Sequence, residues 1–133
     1  MSTRVSVVIP CFNAASYVGQ AIDSALAQSH GDVEVIVIDD GSTDGSSEVI
    51  ASFGARIRSE QLPHGGAPRA RNRGLALATG QAVTFLDADD LLAHDTIAAS
   101  LVALAVAPQR SVVAALGVTS SRMVPAGVRP RTM

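Results

Sequence analysis

Apolar positions along this chain follow two rhythms, short runs and stripes at helical spacing, and the two alternate. Val5 to Pro10 is a run of the kind found in a parallel strand covered on both faces. From about Ala15 to Gln28, Val18, Ile22, Ala25 and Leu26 form one apolar stripe, which predicts a helix ended by Gly31 and Asp32. Val33 to Ile38 predicts a second strand. Asp44 or Ser42 then suits the N-cap of a helix carrying Val49, Ile50 and Phe53. Ala55 to Glu60 reads as a weaker, more polar third strand nearer an edge. Past a loop from Pro63 to Pro68, the proline suits the first turn of a helix with Ala70, Gly74 and Leu77 on one face, ended at Gly80. Val83 to Leu86 predicts a fourth, buried strand, and Asp95 to Ala107 a helix with Ile97, Leu101 and Leu104 in register. Ser111 to Val118 predicts one more strand. From Thr119 the chain loses periodicity, which predicts a loose tail.

Strands alternating with helices imply an α/β fold with a mostly parallel sheet flanked by helices. At 133 residues the expectation is one domain, over residues 1–118, followed by an irregular tail over 119–133. Such a domain buries roughly two-thirds of its unfolded surface.

Composition narrows the chemistry. Ten basic against twelve acidic residues leave a formal charge of −2, which makes no case for nucleic acid or an anionic surface. Every basic residue is arginine, so Schiff-base chemistry and a P-loop lysine are excluded. Cys11 is the one cysteine, which rules out an intramolecular disulfide and a cysteine-based zinc site. His30, His64 and His94 show no metal-ligand spacing. The chain shows no signal-peptide layout, and its longest apolar run, near Ile97 to Ala107, is short of the roughly 20 residues a bilayer needs. A cytoplasmic location is the expectation, with work at the inner face of the membrane and peripheral association left open.

Candidate chemistry gathers where strands end. Asp87, Asp89 and Asp90 close the fourth strand, and in an extended segment positions two apart share a side, so Asp87 and Asp89 face one ligand. Buried carboxylates need a partner charge. Magnesium or manganese brought by a phosphate supplies one, since such sites use one or two carboxylates with substrate phosphates. The same acids also suit helix capping or a solvated turn. Two further clusters, Cys11-Phe12-Asn13 and Asp39-Asp40-Gly41-Ser42, end the first and second strands. In a parallel α/β sheet ligands bind beyond the carboxyl ends of the strands, so all three converge on one edge.

Four segments in this order resemble one known family: Val5 to Asn13, Val37 to Asp44, Ala70-Arg71-Asn72-Arg73-Gly74, and Phe85 to Asp90. The chain is similar, over about residues 4 to 107, to the nucleotide-sugar-binding half of inverting family 2 glycosyltransferases of the GT-A fold. The resemblance implies a Rossmann-like GT-A domain, truncated C-terminally, and metal-assisted transfer of a hexose from a nucleotide diphosphate sugar, a UDP-sugar by preference, to an acceptor hydroxyl. It implies nucleotide-sugar contacts at Pro10, Phe12, Asp39, Asp40, Arg71, Asp87 and Ala88, with Asp40 preferred to Asp39 as the base reader. Asp89 is the implied ligand of manganese or magnesium. For Arg71 a salt bridge to the acidic cluster stays open, for Asn13 helix capping.

Two departures from the family pattern stand out. His64-Gly65-Gly66 takes the place of the usual Asn-x-Gly, and no acidic residue follows Asp95 to act as general base. Either the chain is a nucleotide-binding fragment lacking its acceptor half, or a partner chain supplies that half. The acceptor, whether sugar, lipid-linked or protein, is left open, as is the process served, such as cell-wall or polysaccharide synthesis. A response-regulator-like domain fits less well for want of a lysine, a nucleotidyltransferase for want of a glycine-rich basic loop, and a dinucleotide-binding domain for want of glycines after the first strand.

Overall fold

Seven consecutive buried residues, Val5–Cys11, form β1 and lie in the middle of the sheet. The computed structural model describes residues 3–106, 113–114 and 122–125. Along β1 alternate side chains enter opposite layers. Val5, Val7, Ile9 and Cys11 pack with Val18, Ala21, Ile22 and Ala25 of helix α1 (Val18–Leu26), while Val8 faces the other layer. An apolar residue is required on both sides, which is why β1 reads as a run rather than an alternation.

The remaining elements are β2 (Val33–Asp39), α2 (Ser46–Ala51), a single 3₁₀ turn at Gly54–Arg56, β3 (Arg58–Gln61), α3 (Ala67–Leu77), β4 (Ala82–Phe85), α4 (Thr96–Val106), β5 (Val113–Ala114) and β6 (Arg122–Pro125). Among the described residues the sheet order is β3-β2-β1-β4-β6-β5. The first four strands run parallel, with β6 antiparallel to β4 and β5 antiparallel to β6. Cys11 pairs with Asp39 and Asp39 with Gln61, so three strands finish level at one edge. Beyond β4, the Leu86 N–H still reaches the Val8 carbonyl at 2.9 Å, so the acidic turn leaves from the same edge.

Helix α3 covers the second layer closely. A Cβ built on Gly74 would overlap the Val8 side chain, so a residue without one brings α3 down onto β1. At the opposite edge Glu34 binds three partners. It accepts hydrogen bonds from Ser6 Oγ (2.8 Å), Thr79 N (3.0 Å) and Thr79 Oγ1 (2.6 Å). Gln28 joins α1 to α4: its Nε2 donates to the Ala93 carbonyl at 2.6 Å and its Oε1 accepts from Ile97 N at 3.0 Å.

Four expectations are corrected. Helix α1 begins at Val18 instead of Ala15, because a turn on the Ala14 carbonyl precedes it. Helix α3 stops at Leu77, short of Gly80, because Glu34 and the Ser6 hydroxyl take the backbone N–H groups of Thr79 and Gly80. The third strand starts at Arg58, after the 3₁₀ turn, and lies at the sheet edge as its polarity implies. Arg122–Pro125, in the stretch read as irregular, forms β6, because the free side of β4 offers backbone groups to pair. Of the strand expected over 111–118, Val113–Ala114 is present as β5 and the rest lies outside the described residues.

Candidate functional site

The carboxyl edge of the parallel strands carries two adjoining clefts that share Pro10 and Phe12. One, of about 220 Å³, is lined by Asp40, His64, Ala67, Arg71 and Asp87 besides these two and Cys11. The other, of about 260 Å³, takes in Asn13, Ala14, Tyr17, Ala88 and Asp89. Seven of the eight residues singled out in the sequence therefore line one or the other, and Asp39 is the exception.

Asp39 and Asp40 end the same strand yet face different ways, as neighbours on an extended chain must. Asp39 Oδ1 accepts from Ser42 N (3.0 Å) and Oδ2 from Ser47 Oγ (2.7 Å), which fixes the β2–α2 loop. It lines a separate cavity of about 130 Å³ with Ser47 and Glu60. Asp40, 2% exposed, faces the larger group of site residues. Its Oδ1 accepts from Gly65 N (2.9 Å) and its Oδ2 from Gly66 N (3.0 Å). Gly41 makes this close approach feasible. It adopts φ +76°, and any Cβ there would lie 2.6 Å from the His64 main-chain nitrogen.

His64 is the residue that sequence reasoning missed. Its ring stacks on Phe12 with centroids 4.1 Å apart and planes at 27°. Its Nδ1 lies 3.0 Å from both the main-chain oxygen and Oδ2 of Asp40. Both neighbours are acceptors, so Nδ1 carries the proton. The available signal was the unusual His-Gly-Gly after the third strand, at the same edge as the acids. Tyr17, 55% exposed across Phe12, was likewise not singled out.

The loops are tied to each other rather than left free. Asn13, at φ +49°, accepts from Thr43 N (2.7 Å) and Asp44 N (3.3 Å), so it binds the loop after β2 instead of capping its own helix. Asp44 accepts from Ser46 Oγ (2.6 Å) and Ser46 N (2.9 Å), and these bonds hold its carboxyl below the usual carboxylate range. It thus serves the start of α2 from just ahead of Gly45, which occupies the N-cap position. Burial pushes the Cys11 thiol up, so it stays protonated at the end of β1.

Arg71 Nη2 lies 3.5 Å from Asp87 Oδ1, both side chains partly exposed. Arg73 turns away and pairs with Glu60 through Nε (2.5 Å) and Nη2 (3.0 Å). Beyond Asp87, oxygens of Asp87, Asp89 and Asp90 lie within 4.8 Å of one another. Hard carboxylate oxygens at this separation suit a divalent cation of the magnesium or manganese type. Among the described residues no helix is long and apolar enough to cross a membrane.

The family model described as Glycosyl transferase family 2 matches residues 6–131. An uncharacterized glycosyltransferase of Nostoc sp. is 44% identical over 92 residues, covering 66% of this chain and 29% of that protein. Glycosyltransferase GlyG of Streptococcus pneumoniae is 35% identical over 101 residues, covering 73% and 34%. This chain thus spans about a third of the length of these relatives. Among solved structures, S. aureus TarS 1–349 in complex with UDP superposes with a TM-score of 0.74 at 26% identity, over 88% of this chain and 38% of that one. The mannosyltransferase PcManGT from Pyrobaculum calidifontis, in complex with GDP-Man and Mn2+, gives 0.69 at 31% identity, over 79% and 33%.

Proposed function

As the chain belongs to glycosyl transferase family 2, we propose that it is the donor-binding part of an enzyme that transfers a sugar from a nucleotide diphosphate sugar. The donor in this reading is a UDP-sugar, the acceptor group a hydroxyl, and transfer proceeds with inversion. The observation that carries it is the meeting of two clefts at Phe12, with Asp40, Arg71 and Asp87 on one side and Ala88 and Asp89 on the other. The base lies in the first cleft, beside the stacked rings of Phe12 and His64, where Asp40 accepts an N–H. Asp87 receives the ribose, and Arg71 stands close enough to orient it or a phosphate. The diphosphate passes toward Ala88 and Asp89.

Asp89, with Asp87 and Asp90 beside it, would hold a manganese or magnesium ion, and the oxygen-only donor set fits one. A bound ion supplies positive charge opposite a departing nucleoside diphosphate. The manganese in the PcManGT complex and the UDP bound to TarS support the reading. We assign the general base to no residue of this chain. The acids of the clefts already serve Arg71, backbone N–H groups or the carboxylate cluster.

The test is a calorimetric titration of the purified chain with UDP, with and without manganese, and with GDP for comparison. Metal-dependent binding of UDP is the expected result. A folded chain that binds neither nucleotide overturns the reading.

A further inference from the structure

The two oxygens of Asp40 are not equivalent. Oδ1 accepts one bond, from Gly65 N at 2.9 Å. Oδ2 accepts from Gly66 N at 3.0 Å, and Nδ1 of His64, whose N–H reaches the Asp40 main-chain oxygen, also stands 3.0 Å from Oδ2. A carboxylate oxygen offers two lone-pair positions. Gly66 takes one of those on Oδ2, and the His64 imidazole nitrogen crowds the same oxygen at 3.0 Å. Oδ1 thus carries one such contact fewer than Oδ2.

We propose that His64 sets the nucleobase preference of this site by closing Oδ2 of Asp40, so that the carboxylate reads a base with one N–H on its edge and disfavours a base with two. The proposal rests on the nucleotide-sugar reading above and deepens it. Uracil presents one imino N–H between two carbonyls, which a single acceptor satisfies. Guanine presents an imino N–H beside an exocyclic amine, and a carboxylate with both oxygens open matches that pair. Here the second donor of guanine meets the His64 ring and loses its bond to water without a replacement, the kind of mismatch that discriminates strongly between ligands. Arg71 and Asp87 line the same cleft and pair with each other at 3.5 Å, whereas the contacts to the Asp40 carboxylate come from the His64-Gly65-Gly66 loop.

His64 acts through Asp40 and is a positioning residue. Its ring also stacks on Phe12, and losing that stack weakens any base alike, because stacking tolerates every base. The informative quantity is the ratio of UDP to GDP affinity rather than either alone. Calorimetry on the wild-type chain, His64→Ala and His64→Asn, with UDP and GDP in manganese, separates the outcomes. The wild type should prefer UDP. In His64→Ala the ratio should fall at least tenfold as Oδ2 opens, and His64→Asn, which keeps an N–H donor at this place, should retain most of the preference. Equal weakening of both nucleotides in His64→Ala, or a wild type that prefers GDP, overturns the proposal and leaves nucleotide binding standing. A wild type that binds neither overturns both. Should His64→Ala fail to fold, an unchanged ratio in His64→Gln, whose longer side chain cannot hold a donor at the ring's place, counts against it equally.

Discussion

Phe12 and His64 stack face to face, 4.1 Å between centroids, although one follows β1 and the other follows β3. The contact exists because parallel pairing brings the ends of β1, β2 and β3 level, Cys11 beside Asp39 and Asp39 beside Gln61. Each loop then has one direction in which to leave the sheet. Asn13 ties the first loop to the second, and Asp40 ties the second to the third through Gly65 and Gly66. The floor of the clefts is thus held by loop-to-loop bonds at Asp40, whereas Asp89 stands exposed.

That difference separates two aspartates. Asp89 is exposed and lies in the carboxylate cluster. Asp89→Ala should leave stability within about 0.5 kcal/mol, as for most surface changes. It should remove the manganese-dependent part of UDP binding, roughly tenfold or more in affinity. Calorimetry with and without manganese, beside urea unfolding, reads both. Undiminished metal dependence would remove Asp89 from its proposed role.

Asp40 should behave otherwise. In Asp40→Asn the amide nitrogen must face either Gly65 N or Gly66 N, donor against donor. One part-buried N–H then faces the buried amide without an acceptor, which costs about 1 kcal/mol or more. UDP binding and stability should therefore fall together. If urea unfolding shows no loss of stability, the backbone bonds to Asp40 are not holding the loop as described.

Much of this was legible in the chain because the two hydrophobic periods are clean. The run in β1 and the stripe Val18, Ile22, Ala25 sit where patterning puts them, buried on the sheet and under it. The convergence of strand-end acids follows from topology alone. What needed coordinates were pairings between loops. Nothing in the order of residues says that His64 will cover Phe12, since that depends on strand register. Nor does local sequence decide which of Asp39 and Asp40 faces the cleft. The preference for Asp40 rests on family resemblance, whereas the structure gives each a distinct set of partners. Strand β6 was illegible for a related reason: four residues pair with β4 because an edge is open, not because their own pattern demands it.

Gly74 offers a test of how closely α3 is seated. A methyl group there overlaps Val8, a fully buried strand residue that cannot swing aside. Gly74→Ala should destabilise by about 1–3 kcal/mol, the usual cost of overpacking, despite the better helix propensity of alanine. Pairing it with Val8→Ala should recover part of that loss, since the methyl then fills the space valine vacates. A double-mutant cycle in urea measures the coupling. Additive losses would mean that α3 shifts as a body and the contact is soft.

Glu34 sets a pH dependence remote from the clefts. Burial by itself would raise its carboxyl, but hydrogen bonds from Thr79 Oγ1, Thr79 N and Ser6 Oγ outweigh it and the folded value lies below the ordinary 4.5. The unfolded chain then binds this proton more readily than the folded one, so stability rises with pH across the interval between the two values. The contribution is present in full above about pH 4.5 and is lost as pH falls through the lower, folded value. Urea unfolding from about pH 6 down to about pH 3, in wild type and Glu34→Gln, isolates it, because glutamine cannot titrate. The wild type should lose its advantage over the variant as the pH drops. Asp44 and Glu60 are also depressed, by Ser46 and by Arg73, but both are untouched in Glu34→Gln and cancel in the difference. A gap between the two proteins that stays constant with pH would show that Glu34 stabilises the β2–Thr79 contact by shape and hydrogen bonding alone.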